Sequence, residues 1–543
     1  MRRFSVTSLP AFFTCLALTS AFAAPVQEKN PDLQEKDPDH ALLGAPLVID
    51  DQTIPFDEIK RQVCLGALGQ NYIEAEKLRI FTNEELEARV KAGRSREEYD
   101  VSEEDLAIVF KQVEDQLKEE YPGGEVGLDQ VLPKDDGNRR LVRTTELFKK
   151  IYLPDNPAEY CDLTIVALQA QENGDQLIAQ MQIAYDLRAA DENKTMTAGE
   201  RVFQTMLLQQ IVKYLNDIAD VVDSEDDLPT DILMRVNGKD IPVEAVWERI
   251  KGRVTPVEVR SAKQWITNMI LLEQALTKAG TWLSDEEAEA AYIEHSEPFE
   301  GSIFSIERLA VTVKRFPSVS AYKAYHRAYE SFHHMMKEEM TPEALEEYGK
   351  RRTQHLIGQV SVDADVILLS AYDHKNGKWK KDGWDEAETK TRKVLSLLVD
   401  DEKPWEQVLQ QYSEFYDLPV PRSQASQETP HWITNKGRFR NKQRNVLMKN
   451  LDENDYWLFL NGDSITDYIF FEQKVEEIGR PMKGPKGWYI PLLLRRSDPP
   501  TRLSTSEENM KELIRQDYLN YNLRVYVRDL VRESEVYGID EAM

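Results

Sequence analysis

The residue types that most often carry chemistry are few and scattered in this chain. Its eight histidines form no set with metal-ligand spacing. His333 and His334 are neighbours, which on a helix point to different sides. Cys64 and Cys161 are the cysteines beyond the first twenty residues, enough for one disulfide but not for a framework. Paired acids such as Glu119-Glu120 fall on charged helical faces, and no nucleophile elbow, zinc helix or phosphate loop occurs. A hydrolase is not expected, and neither is a metal centre or any cofactor.

The N-terminus sets the expected compartment. Arg2 and Arg3 precede an apolar stretch, Leu9 to Leu18, broken by Pro10 and Thr14, and Ala21-Phe22-Ala23 has the small-x-small form of a cleavage site. This is the layout of a secretory signal peptide over residues 1–23, cut after about Ala23. No other segment approaches the length of a membrane span, so a soluble protein of the periplasm or cell envelope is expected. The chain carries 68 basic and 96 acidic residues, a formal charge of −28. An acidic balance of this size excludes nucleic acid and anionic membranes as partners, because both need a basic footprint. Residues 24–45 are polar and charged, the composition of a flexible leader.

From there to about residue 356 the pattern is helical. Thr82 with Glu85, Ser102 with Asp105 and Ser284 with Glu287 have capping-box spacing, and Thr341-Pro342 puts a cap before a first-turn proline. Val202, Met206, Leu207, Ile211, Leu215 and Ile218 make one apolar stripe, and Trp265, Met269, Leu272 and Leu276 another. An internal echo divides the region. Ile49 to Ile59 and Val236 to Val246 share an extended piece, a polar turn and Ile-Pro leading into an amphipathic helix. Two helical modules are expected, 46–230 and 231–356, with 223–230 as an exposed linker.

After residue 357 the texture changes. A β-rich run at 362–369 is followed by helices at 384–398 and 405–412. A Pro-, Ser- and Gln-rich loop at 418–430, a helix at 444–451 and a final strand at 487–494 complete the region. Residues 357–496 read as a compact α+β domain. An apolar helix at 503–536, capped by Ser504 and Glu507, ends the chain and must pack on other helices.

The α+β segment resembles a parvulin (PpiC-type) peptidyl-prolyl isomerase domain. The resemblance is carried by Trp405-Glu-Gln-Val-Leu-Gln-Gln-Tyr412-Ser413 and by Val475-Glu-Glu-Ile478-Gly-Arg-Pro481 running into Gly487-Trp-Tyr-Ile490. With an exported helical region before it and a returning helix after it, the chain is similar to SurA/PrsA-type chaperones. The Val236 copy of the echo fits the family's opening better than the Ile49 copy. The fold class this implies is mainly α, a helical chaperone module with an inserted α+β parvulin-like domain and a returning C-terminal helix.

Active parvulins carry one histidine on the first strand and another on the last, over a floor of Met and Phe. Here Val366 and Tyr489 stand at those positions, Glu476 replaces a glycine, and Pro491 interrupts the last strand. Catalysis is therefore expected to be degenerate, with the Tyr489 hydroxyl as the remaining candidate. Phe439, Met448, Phe470, Phe471 and Trp488 are candidates to line a peptide groove, or else are the ordinary core. The expected function is a holdase for unfolded or extended segments of exported proteins. An active isomerase and an envelope scaffold are the alternatives.

Overall fold

The computed structural model describes residues 42–120, 127–169, 174–190, 198–222, 228–299, 305–356, 360–373, 378–380, 382–415, 437–452, 454–497 and 507–539. The expected signal peptide, most of the leader, residues 223–227 of the linker, the 418–430 loop and the Ser504 cap lie outside them. No described helix is long and apolar enough to cross a membrane. The chain forms two compact units. One is Val63–Val254; the other joins the segment ending at Gln62 to the chain from Thr255 onward.

The second unit begins with a hairpin, β1 (Leu47–Ile49) and β2 (Gln52–Ile54), leading into helix α1 (Phe56–Leu65), whose last turn enters the first unit. The first unit continues with α2 (Ala67–Lys91), α3 (Glu103–Glu120), α4 (Asp136–Tyr152), α5 (Asp162–Gln169), α6 (Gly174–Ala189) and α7 (Ala198–Ile218). Strands β3 (Val221–Val222), β4 (Ile232–Val236) and β5 (Lys239–Pro242) follow, then α8 (Val243–Ile250). Val101, Leu106, Val109, Phe110, Leu128, Leu132 and Val142 form one core under α3 and α4. Ser102 and Asp105 make the expected reciprocal cap, but Thr82 lies inside α2, fully buried, with its hydroxyl given to the Leu78 carbonyl. The spacing signal there is a mid-helix back-bond, not a helix start. In α7 Leu207, Ile211 and Leu215 are buried, whereas Met206 and Ile218 are each 53% exposed. The apolar stripe is thus wider than the surface it packs on. Cys64 and Cys161 are not joined in a disulfide.

The rest of the second unit is a helical part carrying an α+β domain. Its helices are α9 (Pro256–Lys278), α10 (Asp285–Ser296), α11 (Ile306–Thr312), α12 (Val319–Met336) and α13 (Pro342–Leu356). Thr255 and Glu258 form a capping box with Pro256 at the first helical position, which fixes the start of α9. The α+β domain contains β6 (Ser361–Ser370), a small ribbon of β7 (Tyr372–Asp373) and β8 (Lys378–Trp379), α14 (Gly383–Val399) and α15 (Trp405–Tyr412). It continues through β9 (Arg438–Gln443), α16 (Arg444–Leu451), α17 (Asp455–Asn461), β10 (Met482–Gly484) and β11 (Gly487–Arg496). The main sheet is antiparallel in the order β10-β11-β6-β9. Last come α18 (Glu507–Glu533) and β12 (Val536–Tyr537). Leu519, Leu523 and Val527 of α18 share one core with Trp265, Leu272, Leu276 and Phe332 of α9 and α12. The fold is mainly α with an α+β domain.

Strand β12 pairs with β1, so the Ile49 hairpin, and not the Val236 hairpin, is the one that meets the strand after the C-terminal helix.

Candidate functional site

From Val366 to Leu369 strand β6 is apolar on both sides, because both faces of the sheet are covered there. Ile367, Leu369 and Ile490 point to one face, under Val394, Leu398, Val408 and Leu409 of α14 and α15. Ala364, Val366 and Leu368 point to the other, with Phe439, Tyr489 and Leu493, under Leu447, Leu451, Ile465, Ile469 and Phe470. Val366 and Tyr489 therefore share the second face. They are not directly opposed: Tyr489 pairs with Leu368, and Val366 with Pro491.

Both positions are closed off. Val366 is 0% exposed and Tyr489 2%. The Tyr489 ring meets Phe415 edge-on at 5.9 Å, and Phe415 meets Phe439 in the same way at 5.9 Å. A Cβ on Gly484 would come within 2.3 Å of the Tyr489 ring, so glycine is what lets that ring lie flat on β10. Across these residues the sheet face is a packed interior. An open depression of about 540 Å³ lies instead against α9, lined by Gln52, Ile270, Glu273, Gln274, Thr277 and Lys278, and contains none of the candidate residues.

The five floor candidates separate. Phe439 and Phe470 join Tyr489 in the buried core. Phe471 is half-buried at its margin, with the Arg352 guanidinium 4.0 Å from its ring centre. Met448 is half-buried on α16. Trp488 alternates with Tyr489 and so lies on the opposite face, paired with Leu369 and Lys483. Pro491 does not interrupt the strand, contrary to the sequence expectation. Its carbonyl accepts from the Gly479 amide at 2.7 Å and from Gln473 Nε2 at 3.0 Å, on the side away from β6. The missing amide falls on that same side, beyond the short β10 pairing, so the β6 ladder loses nothing.

A second polar centre had no signal in the sequence. Asp467 binds Arg444 through Nη2 at 2.7 Å and Nε at 2.8 Å, and Arg524 Nη2 at 3.1 Å. Asp517 accepts from the Tyr348 hydroxyl at 2.7 Å and from Arg352 Nη1 at 3.2 Å, and Arg444 reaches it at 3.5 Å. Burial pushes the Asp467 carboxyl up, but Arg444, then Arg524 and Arg352, outweigh it and hold its pKa down at about 2. These residues come from α13, α16, the turn at Ile465–Asp467 and α18. The network ties the α+β domain to the helical part. Spread over positions 348 to 524 of a chain with 30% charged residues, its members could not be told from surface charges.

Among the described residues, no group of three or more His, Cys, Asp or Glu is placed to hold a metal ion. No family model matches the chain, and no curated protein does. Among solved structures it is similar to the peptidylprolyl isomerase PrsA of Bacillus anthracis, at 13% identity over 49% of this chain and 94% of that one, with a TM-score of 0.20. It is similar also to PrsA of Bacillus cereus, at 15% identity over 57% and 95%, TM-score 0.18. The foldase PrsA of Streptococcus pneumoniae matches at 13% identity over 55% and 90%, TM-score 0.17.

Proposed function

We propose that this chain is a folding factor of the cell envelope, a holdase whose parvulin-like domain no longer isomerises prolyl bonds. One observation carries the reading: the two positions where a parvulin-type site would present histidines hold Val366 and Tyr489, both buried in a packed sheet face. Twisting a prolyl amide over a barrier of about 18–20 kcal/mol needs a groove for the ring and polar groups aimed at the amide. Among the described residues, neither is found on this face. The clients would be unfolded or extended segments of exported proteins, held by weak contacts that release without an energy source. The acidic surface supports the role by keeping the carrier soluble beside apolar chains.

The test is a paired assay on the protein without residues 1–23. Suppression of aggregation of a denatured outer-membrane-type client is measured beside cis-to-trans isomerisation of a proline peptide. Protection near stoichiometry, with isomerisation at background, is the expected result. Isomerisation well above background would overturn the degenerate site. Silence in both assays would overturn the folding-factor reading.

A further inference from the structure

The two hairpins are copies in three dimensions as well as in sequence. A constant offset of 187 positions, Ile49 to Val236, relates all three cross-strand pairs of the first hairpin to pairs of the second. Leu47↔Ile54, Val48↔Thr53 and Ile49↔Gln52 become Met234↔Ile241, Arg235↔Asp240 and Val236↔Lys239. Both turns place two residues at positive φ, Asp50 and Asp51 at 46° and 68°, Asn237 and Gly238 at 49° and 72°. The offset also relates the starts of α1 and α8, at Phe56 and Val243, and the ends of α2 and α9, at Lys91 and Lys278. Past those ends Gly93 and Gly280 both have positive φ, and Arg94 N→Arg89 O matches Thr281 N→Leu276 O.

Each hairpin also receives a third strand in one register. Val48 and Ile49 pair with Tyr537 and Val536, as Arg235 and Val236 pair with Val222 and Val221. The turn residue clamps that strand in the same way both times. Asp50 N donates to the Glu535 carbonyl at 3.0 Å, and Glu535 N donates to Asp50 Oδ1 at 2.9 Å. Asn237 N donates to the Asp220 carbonyl at 2.8 Å, and Asp220 N donates to Asn237 Oδ1 at 3.1 Å. The third strands follow long helices, α7 ending at Ile218 and α18 at Glu533, after the same spacing.

The chain thus contains two copies of one module, but neither copy keeps its own hairpin. The first unit holds α2, α7 and β3 of the first copy with β4, β5 and α8 of the second. The second unit holds α9, α18 and β12 of the second copy with β1 and β2 of the first. Side chains at one equivalent position enforce the exchange. On α2, Glu76 binds Arg249 of α8 at 2.5 Å. On α9 the matching residue is Lys263, which donates to the carbonyls of Ala45 at 2.6 Å and Gly538 at 2.8 Å. Returned to its own copy, the second hairpin would set Arg249 against Lys263, and Glu76 would meet Gln62 where it now has an arginine. Like charge disfavours the unexchanged arrangement.

We propose that the hairpin–helix element is an exchangeable docking piece, and that a second copy of this chain can supply it in trans to give a reciprocally exchanged dimer. The strand contact is made through main chain, which any copy presents identically. Connection in cis is favoured only by an effective concentration on the order of millimolar. Domain exchange of this kind is a low-cost route to dimers.

The test uses full-length chains with Cys15→Ser, Cys64→Ala and Cys161→Ser. One carries Val48→Cys and another Tyr537→Cys, at a cross-strand pair. The two are refolded together from denaturant over a concentration series without reductant. A disulfide-linked dimer is expected that rises with concentration and is absent when native chains are merely mixed. A chain with the exposed Val399→Cys in place of Val48→Cys measures unspecific linking, and a chain with both Val48→Cys and Tyr537→Cys must close within itself. Intrachain closure without a linked dimer at about millimolar concentration overturns the exchange in trans. Failure of the intrachain control overturns the docking itself, and equal linking of the Val399→Cys chain does the same for its specificity.

Discussion

Two regions of the second unit treat buried polarity in opposite ways. On the sheet face around Val366 and Tyr489, the side chains are apolar or aromatic and tightly packed. Where α18 and α13 meet the α+β domain, three arginines and two aspartates are buried together. The sheet face is held by apolar packing, whereas the seam with the helical part is held by paired charge. The comparison teaches that within one domain buried polarity is concentrated where its elements attach to the helices. A domain kept for catalysis would show the reverse, a polar open face on an ordinary apolar seam.

The largest break in this comparison is Asp467→Ala. It leaves Arg444 and Arg524 buried with one carboxylate between them and Arg352, and removing one partner of a buried pair costs about 3–5 kcal/mol. Denaturant unfolding at pH 7 measures it. The carboxyl is held below its unfolded value, so its contribution is complete above about pH 4 and is lost as pH falls toward about 2. The variant is expected to lack that acid-dependent part, worth about 2–3 kcal/mol in the parent.

A third buried group sharpens the contrast, having only a distant acidic partner. His326 of α12 is 5% exposed and stacks on His295 at 4.5 Å. Its Nδ1 has no hydrogen-bond partner, and Glu330 lies 3.8 Å from Nε2. Burial, then His295, lowers its pKa to about 4, against the pull of Glu330. A lowered histidine pKa means the fold holds the neutral ring. Stability is therefore complete above about pH 6.5 and falls by about 3 kcal/mol as pH drops to 4. His326→Gln should flatten the fall in thermal midpoint between pH 7 and pH 4.5; an unchanged slope would count against the assignment. This is also what a histidine at Val366 would face, since that site is more buried still.

Tyr489→Phe probes the apolar side of the comparison with a smaller effect. If the hydroxyl only completes local bonding, the loss is about 1 kcal/mol, with client protection unchanged and isomerisation at background in both proteins. A fall in isomerisation from a measurable parent rate would return Tyr489 to a catalytic role.

Much of this was legible in the sequence, where local patterns decide. The bounds of α15 and α16 follow from apolar period and flanking proline or polar residues, and the caps at Ser102 and Ser284 are where their spacing puts them. The strands carrying Val366 and Tyr489 could be read from β-rich runs bounded by turns. What could not be read was whatever joins distant segments. Nothing near Leu47 announces pairing with Tyr537, and nothing in Asp467 distinguishes it from the many exposed aspartates until Arg524 is placed beside it. Thr82 failed for a related reason: Ser/Thr followed by Glu three residues on is common inside helices, and only the preceding turn decides.

The smallest effect concerns the backbone of the turn before β10. Glu476 stands where the parvulin pattern has glycine, yet it keeps the conformation that glycine would take, with φ at 64°. Its amide donates to the Leu493 carbonyl at 2.7 Å, which holds the turn leading to β10 although its residue is strained. A left-handed non-glycine residue costs roughly 1–2 kcal/mol, and glycine's greater freedom in the unfolded chain returns about half of that. Glu476→Gly is expected to raise stability by up to about 1 kcal/mol, read as a higher denaturant midpoint with the slope unchanged. A gain would show that the turn's left-handed backbone, and not the Glu476 side chain, is what the fold requires there. A loss would mean that the Glu476 side chain holds something the turn needs, and the contrast between the packed face and the charged seam would have to be redrawn around it.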